Sequence, residues 1–261
     1  PGLGAAWARA RAGPCPRCSR GAACRGLGSA TGPAHTRLCG DGGLVAECFP
    51  VEQISDHLAD PQLVVWLDLL APDAADLSVI TEELGLHPLA VEDAVHDRQR
   101  PKVDVYDDHL FLNCYLVAFT SDQPLAVAEI AAFVTDRALV TVRKSAAVDL
   151  AALLKTWDTA RASSPGSGVA FLLHGLLDHV VDGHFTAVQV LDEGIETLED
   201  VLFDGATLGT EIQKDSFAMR TALVQLRRGV RPVREVGNAW VRRGTELSDG
   251  AVGPESTGVV R

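Results

Sequence analysis

The feature that most constrains the fold is a change of periodicity at residues 163–168, SSPGSG. After this break, apolar residues recur at alternating spacings of three and four in two long segments, which is the heptad pattern of packed helices. Only the short stretch FDGATLGT separates the segments, so we predict an antiparallel helical hairpin over residues 168–243. The predicted seam consists of Val188, Leu191, Ile195, Leu198 and Leu202, and of Met219, Leu223, Leu226, Val230, Val233, Gly237 and Trp240.

The two predicted helices carry charges of opposite sign. Residues 182–204 contain seven acidic residues and no Lys or Arg, whereas residues 211–243 contain eight basic residues and three acidic ones. At 1.5 Å per residue the helices would extend about 30 and 45 Å, which is longer than a domain of this size requires. We therefore expect the hairpin to project and the chain to form an oligomer.

The pattern before the break is that of a sheet layered with helices. Apolar runs of strand type alternate with short helices, and about six strands are predicted, joined by turns typical of hairpins. Asp73 is a predicted helix cap, Gly85 a predicted helix end, and Pro88 opens the helix PLAVEDAV. The predicted fold class is α+β, an α/β/α sandwich with a mixed sheet over residues 44–165, followed by the long antiparallel hairpin.

The two ends of the chain differ from the rest. Residues 1–43 contain six Arg, four of the six Cys and no Lys, Ile, Val or Glu. Such a composition cannot build a core, so we interpret this arm as disordered or artefactual. A zinc module made of Cys15, Cys18, Cys24 and Cys39 is the alternative, although only Cys15 and Cys18 have ligand spacing. Residues 244–261, rich in Gly and Ser, are predicted to be a flexible tail.

Composition excludes several function classes. Acidic residues outnumber basic ones by 35 to 23, which argues against nucleic-acid binding. No apolar run reaches the length of a membrane span, since VAFLLHGLL is short and interrupted by His174. The signatures GxSxG, GxGxxG, HExxH and the P-loop are absent, so no enzyme is predicted.

Two groups of side chains could bind a metal ion. Glu92 and Asp93 are adjacent on the short Pro88 helix, and their oxygens could hold Mg²⁺ if a further carboxylate approached. Solvated surface carboxylates are the simpler interpretation. His174, Asp178 and Asp182 recur every four residues on one helix face and could serve a metal-dependent hydrolase, although such histidines more often have structural roles.

The sequence HPLAVEDAVHDRQRPKVDVYDDHLFL at residues 87–112 resembles the cytoplasmic domain of the CorA family of magnesium transporters. The likeness continues in LLHGLLDHVVDGHF, LDEGIETLEDVLF and LRRGVRPVREV, and covers roughly residues 44–243. ZntB-type zinc transporters are similar to a lesser degree. The resemblance implies a homopentamer at the cytoplasmic face of the cell membrane that responds to Mg²⁺ or Co²⁺, with Glu92, Asp93 and Asp178 as metal ligands between subunits.

The sequence also departs from the family pattern. The pore motif Gly-Met-Asn is absent, the single methionine is Met219, and no membrane helices follow the stalk. We therefore expect a cytoplasmic sensing and assembly domain that does not itself transport ions or contact the membrane. The alternatives are a ZntB-like zinc transporter domain, the soluble hydrolase, and an adaptor whose hairpin only oligomerises. The physiological ion and the oligomeric state are left open.

Overall fold

A computed structural model describes residues 34–40, 43–96, 100–118, 125–145, 150–163, 168–203 and 210–247. The strands are β1 (Ala34–Gly40), β2 (Gly43–Glu47), β3 (Val64–Leu70), β4 (Lys102–Val105), β5 (Leu110–Ala118), β6 (Ala126–Val134) and β7 (Ala138–Arg143). The helices are a 3₁₀ turn (Val51–Gln53), α1 (Ile54–Leu58), α2 (Ala74–Leu84), α3 (Pro88–Val95), α4 (Leu150–Ser163), α5 (Val169–Phe203) and α6 (Thr210–Leu247).

The seven strands form one mixed sheet in the order β2-β1-β3-β7-β6-β5-β4. The β3 and β7 pair is parallel, with Val65 opposite Ala138, and the other neighbouring pairs are antiparallel. Alternate residues of each strand point to opposite faces, so the sheet has two apolar sides to cover. Both sides are covered by helices.

Helices form a layer on each face of the sheet. On one face, α1, α2 and α3 bury Ile54, Leu77 and Ala90 against β3, β6 and β7. On the other face, α4 and α5 bury residues that include Trp157 and Leu176. The predicted α/β/α sandwich with a mixed sheet is therefore confirmed.

Local sequence signals place the helix ends as predicted. The carboxylate of Asp73 accepts hydrogen bonds from the backbone N–H groups of Ala75 and Asp76, while the Asp76 carboxylate accepts one from the Asp73 N–H, which is a complete capping box. Gly85 ends α2 with a φ of 65°, a left-handed conformation that glycine adopts without a steric cost. Pro88 occupies the first turn of α3, where its missing N–H has no helical partner to lose.

The predicted disorder of residues 1–43 is wrong for residues 34–40, which form β1 between β2 and β3. The polar residues that suggested disorder are paired: Arg37 is hydrogen-bonded to Glu47 and Asp158, and the Thr36 hydroxyl donates to the Phe49 carbonyl. Residues 1–33 lie outside the described part of the chain, together with three of the four cysteines of the zinc alternative. The predicted tail is also shorter, because α6 continues to Leu247.

The helical hairpin is present, and part of its predicted seam is confirmed, because the apolar cluster of the hairpin includes Leu191, Ile195, Leu198, Met219 and Leu226. Buried contacts between α5 and α6 involve Ala187, Leu191, Met219, Ala222 and Leu226. The predicted seam residues that are exposed instead are Val188, Leu202, Leu223 and Val230, at 40–49%. At two steps the prediction chose the larger neighbour of a buried alanine, Val188 instead of Ala187 and Leu223 instead of Ala222.

Cys48 and Cys114 differ in environment. Cys114 is fully buried in β5, and burial raises the pKa of its thiol to about 12, so it is inert as a nucleophile. Cys48 lies just after β2 and is exposed.

Candidate cation site

Glu92 and Asp93 lie on the short helix α3, which packs against the sheet. Ala90 and Ala94 are buried against the sheet, which directs Glu92 to solvent and leaves Asp93 half-buried. At the start of the helix, the His87 ring accepts a hydrogen bond from the Leu89 N–H at 3.2 Å. Because Glu92 and Asp93 are adjacent on a helix, their side chains point in different directions.

The Asp93 carboxylate lies beside a lysine of the neighbouring strand. Nζ of Lys102 is 2.6 Å from Oδ2 of Asp93 and 2.6 Å from Oδ2 of Asp104. Lys102 and Asp104 are two positions apart in β4 and so lie on the same side of the strand, facing α3. The three side chains form one cluster, which we call the Asp93–Lys102–Asp104 cluster.

The cluster is partly accessible to water. The exposed side-chain fractions are 26% for Asp93, 32% for Lys102 and 38% for Asp104. Ion pairs with this accessibility contribute about 0.2–1 kcal/mol each. Burial lowers the pKa of Lys102, but its hydrogen bonds to Asp104 and Asp93 outweigh burial and raise the pKa above its ordinary value. The ammonium is therefore charged, and it neutralises one of the two carboxylates.

An aromatic stack supports the same edge of the domain. The Tyr106 ring stacks on His87 at 4.6 Å and on His109 at 4.8 Å between ring centroids. His87 starts α3, whereas Tyr106 and His109 flank the turn between β4 and β5. The stack therefore links the helix that carries Asp93 to the strand that carries Lys102.

Asp178 lies on the opposite side of the sheet from α3. It is half-buried on α5, whose neighbouring residues Leu176 and Leu177 pack on the face covered by α4. The sheet therefore separates Asp178 from Glu92 and Asp93 within a single chain. Among the residues that the structure describes, no group of three or more His, Cys, Asp or Glu side chains is arranged to hold a metal ion.

The histidine and aspartate series on α5 is also not assembled into such a group. His174 and Asp178 are half-buried and Asp182 is exposed along the same helix. A nearby histidine has a structural contact: Nε2 of His184 lies 3.1 Å from the Tyr115 carbonyl oxygen of β5. Burial lowers the pKa of His184 more than this hydrogen bond raises it. The hydrolase alternative therefore gains no support from the geometry.

Sequence reasoning missed Lys102 and Asp104. Both lie in the segment RPKVD, which follows α3 and carries no metal-binding signature. The alternation of residues in a strand would have placed them on one side, but not opposite Asp93. That proximity depends on how α3 packs against β4.

Solved structures share this fold. The soluble domain of CorA from Methanocaldococcus jannaschii is similar with a TM-score of 0.63 at 16% identity, covering 86% of this chain and 84% of that one. The ZntB cytoplasmic domain from Vibrio parahaemolyticus has a TM-score of 0.53 at 16% identity, covering 70% of this chain and 71% of that one. At these identities the likeness establishes the fold alone.

The sequence comparison establishes the family. The model for the CorA-like Mg²⁺ transporter protein matches residues 61–252, more than half of the chain. The chain therefore belongs to the CorA-like family. It is 25% identical over 187 residues to the cobalt/magnesium transport protein CorA of Thermotoga maritima, covering 70% of this chain and 52% of that protein. The chain spans about half the length of the relatives it matches.

The family is one of transporters. Within the described residues, none of the helices combines the length and the apolar character that crossing a membrane requires.

Proposed function

We propose that this chain is the cytoplasmic Mg²⁺-sensing and assembly domain of a divalent-cation transporter of the cell membrane. The observation that carries the proposal is the placement of its acidic side chains. Glu92 and Asp93 lie on one face of the sheet and Asp178 on the other, so one chain cannot bring all three to one ion. A second copy of the chain could supply the missing side.

A cation bound between two copies would couple sensing to assembly. Carboxylates from neighbouring copies repel one another, and a divalent ion that neutralises them stabilises the arrangement in which they meet. Carboxylate oxygens suit Mg²⁺, which is typically held by one or two carboxylates and several waters. Co²⁺ is the second ion that we propose, since the Thermotoga maritima relative is named for both.

A zinc-responsive domain is the alternative that a specific observation favours, because the fold is also that of the ZntB cytoplasmic domain. The proposed oxygen ligands distinguish the two, since zinc prefers nitrogen and sulfur ligands as well. We therefore expect Mg²⁺ and Co²⁺ to act through Asp93. A response to Zn²⁺ alone would favour the alternative.

Divalent cations should raise the melting temperature of the chain, and the rise should be lost in Asp93→Ala. A ligand that binds only the folded state stabilises it, and the stabilisation grows with the logarithm of one plus the ratio of the ligand concentration to the dissociation constant. The measurement is a melting curve in about 0–20 mM MgCl₂ or CoCl₂ at constant ionic strength. This range includes the dissociation constants of weak carboxylate sites.

Asp192→Ala is the matched control, because Asp192 is an exposed carboxylate on α5 away from the cluster. The control should retain the full cation response. A melting temperature that is unchanged by MgCl₂ and CoCl₂ in the unmodified chain would contradict cation sensing and leave the adaptor alternative, in which the hairpin oligomerises without cations.

Replacing Leu223 and Val230 with Glu should reduce self-association. These residues lie seven positions apart on one edge of α6 and are 43% and 40% exposed, although both are apolar. We propose that they face another copy, in a homopentamer by analogy with the family resemblance. The measurement is molar mass by light scattering after size exclusion.

A double replacement at exposed polar positions of α6, Gln213→Glu and Thr221→Glu, serves as the control for added negative charge. It should leave the molar mass unchanged. Equal masses for the unmodified chain and the Leu223→Glu/Val230→Glu variant would contradict the assignment of this edge to an interface.

A further inference from the structure

We propose that Lys102 is a built-in competitor for the divalent cation at Asp93. In the absence of the ion its ammonium occupies the acidic cluster, and the ion must displace it to bind. This inference rests on the proposed function and specifies how that site is regulated. Lys102 would set the concentration at which the domain responds, and Asp104 would join Asp93 as an oxygen donor after the exchange.

The ammonium is held by three groups of the same chain. Nζ of Lys102 lies 2.6 Å from Oδ2 of Asp93 and 2.6 Å from Oδ2 of Asp104. It also lies 5.6 Å from the centroid of the Phe111 ring, within the range of a cation–π contact. The position between the carboxylates is therefore already filled by a positive charge.

A divalent ion and the ammonium cannot share this position. Mg²⁺ binds a carboxylate oxygen at about 2.0–2.1 Å, which would place it in contact with the ammonium that now lies against Asp93. Like charges at such a separation disfavour each other. Binding must therefore be an exchange in which the ammonium leaves the cluster.

The structure allows the exchange. Lys102 is 32% exposed, and its flexible four-carbon stem lets the head reach water without movement of β4. After the ammonium leaves, α3 and β4 present one carboxylate each to the same space. Two carboxylates completed by waters are the usual protein contribution to a Mg²⁺ site.

The test compares Lys102→Met with the unmodified chain in MgCl₂ titrations followed by melting temperature at constant ionic strength. Methionine keeps most of the side-chain length and removes the charge. We expect the midpoint concentration of Mg²⁺ to fall by about fivefold to tenfold, which corresponds to about 1–1.4 kcal/mol. Lys102→Arg, which keeps the charge, should keep a midpoint near that of the unmodified chain.

Lys155→Met removes an exposed positive charge on α4 and is the matched control for net charge. It should leave the midpoint unchanged. Lys102→Gln is a second neutral variant that preserves the test if the methionine variant does not fold. The midpoint rather than the starting melting temperature is compared, because loss of the ion pairs also changes stability.

The outcomes separate this inference from the proposed function. If the unmodified chain responds and the neutral variants have its midpoint, competition by Lys102 is refuted and cation sensing stands. If only the neutral variants respond, Lys102 blocks the site and sensing by the unmodified chain is wrong. If neither responds, both proposals are wrong.

Discussion

Replacing Gly175 with alanine should lower the free energy of unfolding by about 1–3 kcal/mol, because the added methyl group has no space. A Cβ atom on Gly175 of α5 would overlap Nε1 and Cδ1 of Trp157 on α4. Trp157 is 3% exposed, its indole N–H donates to the Leu172 carbonyl at 3.1 Å, and its ring packs edge-on against Trp66 at 4.7 Å. The indole cannot move away without losing these contacts.

Urea unfolding of the full chain measures the effect, and Gly229→Ala is the matched control. A Cβ atom on Gly229 of α6 would have its nearest neighbour, Nε2 of His184, at 3.5 Å, which is an ordinary contact. Alanine is favoured over glycine inside a helix, so this variant should be unchanged or more stable by up to about 1 kcal/mol. Equal stabilities for the two variants would show that α4 and α5 do not pack as described.

The Arg143→Met variant should lose about 3–5 kcal/mol of stability, because it leaves a buried charge without its partner. Asp68 of β3 is fully buried, and the Arg143 guanidinium donates to both of its carboxylate oxygens, with Nη2 at 2.6 Å from Oδ2. The Thr141 hydroxyl donates to Oδ1 at 2.7 Å but brings no charge. Removing the guanidinium therefore leaves the carboxylate in the interior without compensation.

Denaturant unfolding of two further variants checks this interpretation. In Asp68→Asn/Arg143→Met no charge is left buried, so the loss should be smaller than in Arg143→Met alone. Arg137→Met removes a guanidinium that donates to the Asp60 carbonyl near the surface, and should change stability by about 0.5 kcal/mol or less. If the double variant is the least stable of the three, the cost comes from lost packing rather than from an unpaired carboxylate.

Local signals were sufficient to predict most helices and most strands. Asp73, Gly85 and Pro88 act through contacts within a few residues of themselves, which a sequence displays directly. β1 was missed because Arg37 is stabilised by Asp158, which lies far along the chain and cannot be read from the composition of the first 43 residues. The fold class followed from elements whose signals are local, whereas this edge of the sheet depends on tertiary pairing.

The hairpin seam and the cation site could also be predicted only in part from the sequence. Heptad spacing predicted two packed helices and five of their seam residues, but not that Ala187 and Ala222 rather than their larger neighbours Val188 and Leu223 are buried between them. The resemblance gave Glu92, Asp93 and Asp178 as ligands, and these stay predictions. Lys102 could not be assigned to the site from sequence, because its contact with Asp93 requires α3 to pack beside β4.

The parallel pairing of β3 with β7 has a consequence for how the chain folds. Strands β1 to β3 and strands β4 to β7 each form a sub-sheet from antiparallel neighbours that are near in sequence, and the two sub-sheets meet at Val65 and Ala138. Joining distant segments carries a larger loop-closure entropy than forming local hairpins. The late step of folding is therefore expected to be the union of two preformed halves, with Asp68 and Arg143 brought together as they join.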